Sequence, residues 1–141
     1  MLVKIESHVL LEDIDAYGHM NNIAYLKYLD RVRQSLLITS SDKNLAENLN
    51  LALLVLSTCV NYHSPLFFND PFTIESLVRR ERLKFYTDHT IIGPNQKVVL
   101  EGNQTYAILP LTNSSIKARR NIRDFISNYE KLDTKIQLKI A

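Results

Sequence analysis

The sequence predicts an α+β fold in which a sheet covers one long helix. Two patterns predict it. Between Asn22 and Leu36, apolar side chains recur at spacings of three and four, the period of a helix with one buried face. From Leu51 onward that period gives way to four long segments bounded by turn-forming residues, as strands are. One helix followed by four strands is the order expected of a layer in which the sheet buries the helix stripe.

In chain order, Lys4 to Glu12 alternates, with Val3, Ile5, Ser7, Val9 and Leu11 on one face, and reads as a first strand. The helix begins at Asn22 and gathers Tyr25, Leu26, Leu29, Val32 and Leu36 on one side, against Lys27, Arg31, Gln34 and Ser35 on the other. Ser40 to Asn50 is polar and helix-tolerant, a connector or short helix and the expected mobile element. Strands are expected at Leu51–His63, Phe72–Leu83, Lys84–Ile92 and Lys97–Leu109. Ser64-Pro65, Asn69-Asp70-Pro71 and Gly93-Pro94-Asn95 punctuate them, whereas no Gly or Pro marks the boundary at Leu83. Ile122, Phe125, Ile126 and Tyr129 predict a final helix, and Lys131 to Ala141 is read as a tail. No repeat, linker or low-complexity stretch divides the chain, so a single domain over 1–141 is expected.

Composition narrows the function classes. With 141 residues, 45% hydrophobic and 23% charged, the chain fits one ordinary soluble domain with a sizeable core. The longest apolar run, Leu51 to Leu56, is far short of a membrane span, and Lys4 and Glu6 interrupt any signal-like start, so a cytoplasmic protein is expected. A net charge of +2 argues against a nucleic-acid partner. The single cysteine, Cys59, cannot form an internal disulfide and is expected to be a small core residue. His8, His63 and His89 have no paired ligand spacing with one another or with Cys59, so no metal site is expected.

The chemistry concentrates in residues 13 to 30. Asp13, Asp15, Gly18, His19, Asn21 and Asn22 directly precede the apolar helical pattern. A helix start presents unpaired N–H groups and a partial positive charge, able to hold a carbonyl oxygen that becomes an oxyanion. A carboxylate beside it can attack that carbonyl or activate water. Asp15 could instead cap the turn that follows it, since Asp readily accepts backbone hydrogen bonds.

The spacing D-x-D-x-x-G-H-x-N-N-x-x-Y over Asp13–Tyr25 resembles the opening motif of the hot-dog-fold thioesterases, in particular the 4-hydroxybenzoyl-CoA thioesterase-like branch. The match runs without a gap to Asp30, and the order of elements fits from about Ile5 to about Tyr129. The resemblance implies an antiparallel sheet wrapped around a central helix, with subunits paired sheet edge to sheet edge as a homodimer or homotetramer. Active sites then lie at the subunit interface. It implies an acyl-CoA thioester hydrolase that needs no cofactor. Asp15 aligns with the acid that serves as nucleophile or general base, and the two roles stay open. Asn22 aligns with the residue whose backbone N–H polarises the thioester carbonyl; other members carry tyrosine or histidine there.

His19 lies at the distance from the acid seen in the D-x-N-x-H pattern of plant acyl-carrier-protein thioesterases, but Tyr17 stands where that pattern has asparagine. It is either a site residue or a loop anchor. Asp13 is read as a structural group that bonds loop amides, and Gly18 as supplying a backbone conformation or a close approach. Tyr25 is read first as packing, and Thr58 and Ser64 as groups able to bond a pantetheine amide. Of the basic clusters Arg79, Arg80, Arg82 and Lys117, Arg119, Arg120, Arg123, most are expected on solvated surface and one or two on carrier phosphates, Arg79 and Arg80 being the candidates. Asp70 is expected to fix its turn. Two other readings accompany hydrolysis of acyl-CoA: the same chemistry on an acyl carrier protein, supported by His19, and a non-catalytic acyl-CoA-binding module, which gains nothing from Asp15. Hydratases of this fold carry D-x-N-P-x-H, from which this motif departs in spacing and in both intervening residues.

Overall fold

The computed structural model describes residues 1–37, 50–111, 115–131 and 136–139. In chain order they form β1 (Leu2–His8), α1 (Asn22–Leu37), β2 (Leu51–Tyr62), β3 (Pro71–Glu81), β4 (Lys84–Ile92), β5 (Val98–Pro110), α2 (Ser115–Lys131) and β6 (Ile136–Lys139). The strands make one sheet of order β2-β5-β4-β3-β1-β6, in which only β1 and β6 run parallel. The predicted α+β layer is present: α1 lies on one face and buries Tyr25, Tyr28, Leu29, Val32 and Leu36 against inward residues such as Ile5, Phe72, Ile74, Ile91 and Leu100. Tyr28 meets Phe72 edge to face, ring centroids 4.9 Å apart. Helix α2 closes the same core at the β3–β4 hairpin, where Phe125 and Tyr129 pack edge-on against Phe85.

Several expectations need correction. The first strand stops at His8 because the backbone of Val9 pairs with Asn69 and Asp70, and Leu11–Asp13 turns into a short 3-10 helix that leaves Leu11 exposed. Ser35, assigned to the polar side of α1, is buried and donates to Val32 O at 2.6 Å, so its hydroxyl is satisfied within the helix. Cys59 is exposed, because it alternates onto the sheet face opposite to α1. The tail expected after Lys131 contains β6, paired in parallel with Val3–Glu6. The unmarked boundary near Leu83 is a tight turn in which Arg82 takes a left-handed φ of 53°. The expected mobile connector, apart from Asn50, lies outside the described residues.

Beneath α1 the sheet carries a row of buried polar side chains that ends at exposed Thr58. Ser76 Oγ stands 2.7 Å from His89 Nδ1, His89 Nε2 lies 3.1 Å from Gln104 Oε1, and Gln104 Nε2 donates to Thr58 Oγ1 at 3.0 Å. Gln104 Oε1 can only accept, so Nε2 carries the His89 proton and Nδ1 accepts from Ser76. Burial pushes the His89 imidazole down to about 4, against the smaller opposing effect of the Gln104 hydrogen bond. Stability from the neutral ring is therefore complete above the unfolded value of 6.5 and is lost as pH falls toward 4. The expected loss is on the order of 3 kcal/mol across that window. Urea unfolding of wild type should show this slope, and His89→Gln should flatten it.

Candidate active site

The loop between β1 and α1 is closed by its own backbone. Ile14 bridges Met20, Asp15 N donates to His19 O at 3.2 Å, and Gly18 N donates to Asp15 O at 3.0 Å. Gly18 takes φ +84° with open space where a Cβ would sit, so conformation and not close approach requires glycine there. Met20 N donates to Leu66 O at 2.7 Å and ties the loop to the β2–β3 connection. In that connection Asp70 fixes its turn as expected, its carboxylate accepting from Phe67 N at 2.8 Å.

The two motif aspartates have separate environments. Asp13 is buried; its carboxylate accepts from Lys27 Nζ at 2.5 Å, Tyr28 OH at 2.5 Å and Leu10 N at 3.2 Å, while its carbonyl accepts from Asn21 N at 2.8 Å. Burial alone would raise this carboxyl, but those hydrogen bonds and the Lys27 charge hold it below the usual carboxylate range. Asp13 thus fastens the loop to the flank of α1. Asp15 is partly exposed. Its Oδ1 accepts from Tyr17 N at 2.9 Å, the local turn contact open to any aspartate, and its Oδ2 lies 3.4 Å from Asn21 Nδ2.

Asn21 caps the helix. Its Oδ1 accepts from Ile23 N at 2.8 Å while its Nδ2 faces Asp15, so a single side chain links the carboxylate to the start of α1. Asn22, the first helical residue, is exposed, and none of the hydrogen bonds found among the described residues uses its N–H. Its carbonyl accepts from Tyr62 OH at 2.9 Å, which fixes the helix start against the end of β2.

A cavity of about 370 Å³ opens at this point, lined by His19, Asn22, Tyr25, Tyr62, His63 and Ser64 among others. Tyr25 and Tyr62 meet edge to face at 5.5 Å, and burial pushes both phenols up, so both stay protonated at neutral pH. Tyr25 OH accepts from Leu66 N at 3.2 Å, and its proton is free to donate into the cavity. His19 Nδ1 lies 3.3 Å from Met20 O, and its ring stacks near Tyr17. His63 Nε2 lies 3.0 Å from Glu101 Oε2. A larger open groove of about 810 Å³ beside His8, Thr73 and Gln96 contains none of the motif residues.

Of the residues singled out from sequence, His19, Asn22, Tyr25 and Ser64 line the cavity; Asp15 is not among its lining residues and is linked to the helix start through Asn21. The Ser64 hydroxyl is engaged with Val98 O at 3.1 Å. Thr58 lies further along β2, where it accepts from Gln104. Arg79 and Arg80 are not brought to the cavity: they sit at the β3–β4 hairpin, Arg79 paired with Asp88 at 2.8 Å and Arg80 with Glu130. Tyr62, His63 and Glu101 are additions that sequence reasoning missed. His63 borders the turn signal Ser64-Pro65, but nothing in the sequence marks Glu101, 38 positions away, as its partner. Among the described residues no cluster of His, Cys, Asp or Glu could hold a metal ion, and no helix is long and apolar enough to cross a membrane.

Comparison with known proteins gives a consistent set of likenesses. The thioesterase-like superfamily matches residues 9–125. The long-chain acyl-CoA thioesterase FadM of Escherichia coli is 27% identical over 100 residues, 70% of this chain and 76% of that protein. Among solved structures, the DHNA-CoA thioesterase of Staphylococcus aureus superposes with a TM-score of 0.77 at 17% identity, covering 96% of this chain and 98% of that one. The probable thioesterase YbaW of Escherichia coli gives 0.70 at 22% identity, over 89% and 97% of the two chains.

Proposed function

We propose, on the premise that this chain belongs to the thioesterase-like superfamily, that it hydrolyses an acyl-CoA thioester to the free acid and CoA. Its sheet-on-helix architecture is the hot-dog arrangement. The observation that carries the reading is the unused N–H of Asn22 at the start of a sixteen-residue helix, one side chain away from the Asp15 carboxylate. In this reading the thioester oxygen takes the Asn22 N–H, and the α1 dipole stabilises the charge that develops on it. Asp15 attacks the carbonyl carbon or takes a proton from the attacking water. Asn21 sets its distance from the helix start. The Asn22 contribution is a backbone group, so it survives a change of the side chain that preserves the helix.

The family relatives named for CoA esters support the coenzyme as carrier, FadM for a long-chain acyl group. Thiol release from short, long and aromatic acyl-CoA esters tests the reading and finds the acyl class. Turnover of at least one ester supports hydrolysis, whereas acyl-CoA binding without turnover would identify a binding module.

Dimerisation through β2 belongs to the same proposal. This strand forms one edge of the sheet, runs for twelve residues, Leu51–Tyr62, without a charge or a proline, and leaves Leu54, Val55 and Leu56 exposed. Such an edge lacks the features that keep solvent-exposed strands from pairing and fits pairing with a second copy. Light scattering should give a multimer for wild type, and Leu54→Lys should shift the population toward monomer.

A further inference from the structure

We infer that His63 is the general acid that protonates the departing thiolate, with Glu101 as its positioning residue. The inference rests on the thioesterase reading above and adds the step that reading leaves without a proton donor. His63 lines the cavity that contains Asn22, at the end of β2, and its backbone N–H is fixed on Val99 O at 2.8 Å. The Glu101 carboxylate can only accept, so at 3.0 Å it orients Nε2–H toward itself. Nδ1, on the other side of the ring from Glu101, then has no protein partner among the described residues. The other polar groups of the cavity suit this step less well. Tyr62 OH is spent on Asn22 O and Ser64 Oγ on Val98 O, burial pushes the Tyr25 phenol up and makes it a poor acid, and His19 Nδ1 lies against the neutral carbonyl of Met20 where His63 has a carboxylate.

In the water route Asp15 takes one proton from water and the hydroxide adds to the thioester carbon, moving its π electrons onto the oxygen held by Asn22 N–H. On collapse the C–S bond breaks, its electron pair stays on sulfur, and sulfur takes the proton from His63 Nδ1. The proton on Asp15 returns to His63 through solvent, and the balance is thioester plus water to acid plus thiol. If Asp15 attacks directly, the same His63 transfer accompanies expulsion of the thiol from the first adduct; water then cleaves the acyl–Asp15 anhydride to release the acid, and the water proton left over returns to His63.

Leaving-group dependence provides the test. A CoA thiolate is a basic leaving group that benefits from protonation, whereas a 4-nitrobenzenethiolate departs without it. With one acyl group on both thiols, His63→Gln should lower kcat about 100-fold on the CoA ester and under about threefold on the nitrophenyl thioester. Glu101→Leu should reproduce the pattern, and Glu101→Gln, which retains an accepting oxygen, should partly restore the CoA rate. Equal losses on both esters, no loss on either, or a raised KM with kcat intact would overturn the assignment. Wild type that cleaves neither ester would overturn the thioesterase reading together with it. His63 and Glu101 are both exposed, so the variants should keep the wild-type unfolding midpoint, and a lowered midpoint with equal losses would count against the proposal.

Discussion

Asp15→Asn is expected to lower kcat for thioester hydrolysis by about 10³-fold while leaving acyl-CoA affinity within about threefold of wild type. The substitution removes the charge and the basicity and keeps the shape. Asn retains an oxygen for the Tyr17 amide, so the turn that holds the loop survives. The backbone bonds Asp15 N to His19 O and Gly18 N to Asp15 O do not involve the side chain at all. The Asn22 N–H and the α1 dipole remain in place to bind the carbonyl. Matched thiol-release and binding assays check the prediction. A variant that turns over as fast as wild type would remove Asp15 from the chemistry and leave it the loop-capping role alone.

Asp13→Ala should produce the largest loss of stability, about 3 kcal/mol, without any direct loss of a reacting group. The carboxylate is buried and serves three donors at once, so its removal costs the buried Tyr28 hydroxyl its charged acceptor and leaves Lys27 and the Leu10 amide to find water. Because hydrogen bonds hold the folded carboxyl below its unfolded value of 3.8, its stabilisation is complete above that pH and disappears as pH falls through the folded value. The difference in urea midpoint between wild type and Asp13→Ala should therefore be full at pH 7 and shrink below pH 4. A constant difference down to pH 3 would mean that packing, not the ionised carboxylate, carries the effect. His89 titrates in a separate window between 6.5 and about 4, so the two contributions to acid sensitivity are distinguishable.

The two motif aspartates show how far a sequence can be read. They stand two residues apart and an extended chain would point them the same way, yet the 3-10 turn at Leu11–Asp13 sends one into the core and leaves the other partly exposed beside Asn21. Pattern alone made Asp13 a structural group that bonds loop amides, and the Leu10 contact is of that kind, but its principal partners, Lys27 and Tyr28, come from the helix. Tyr28 was legible as a packing residue, three positions after Tyr25 and four before Val32, but only the fold brings its hydroxyl to Asp13 and its ring to Phe72. Arg79 and Arg80 look like a cationic patch in one dimension. In three dimensions they serve acidic neighbours from β4 and α2 at the far end of the sheet.

What the sequence by itself determined is local: the helix from Asn22, the strand segments, a turn at position 18 that calls for glycine and the seven-residue spacing that places Asp15 beside a helix start. These follow because periodicity, capping and turn chemistry act between residues a few positions apart. Only the tertiary structure decided that His63 meets Glu101, that Gln104 bridges His89 to Thr58, that Cys59 faces outward, and that Ile136–Lys139 pairs with β1. Those outcomes depend on strand order and register. A shift of one residue in register exchanges the two faces of a strand, and no local pattern records which distant segment supplies the partner.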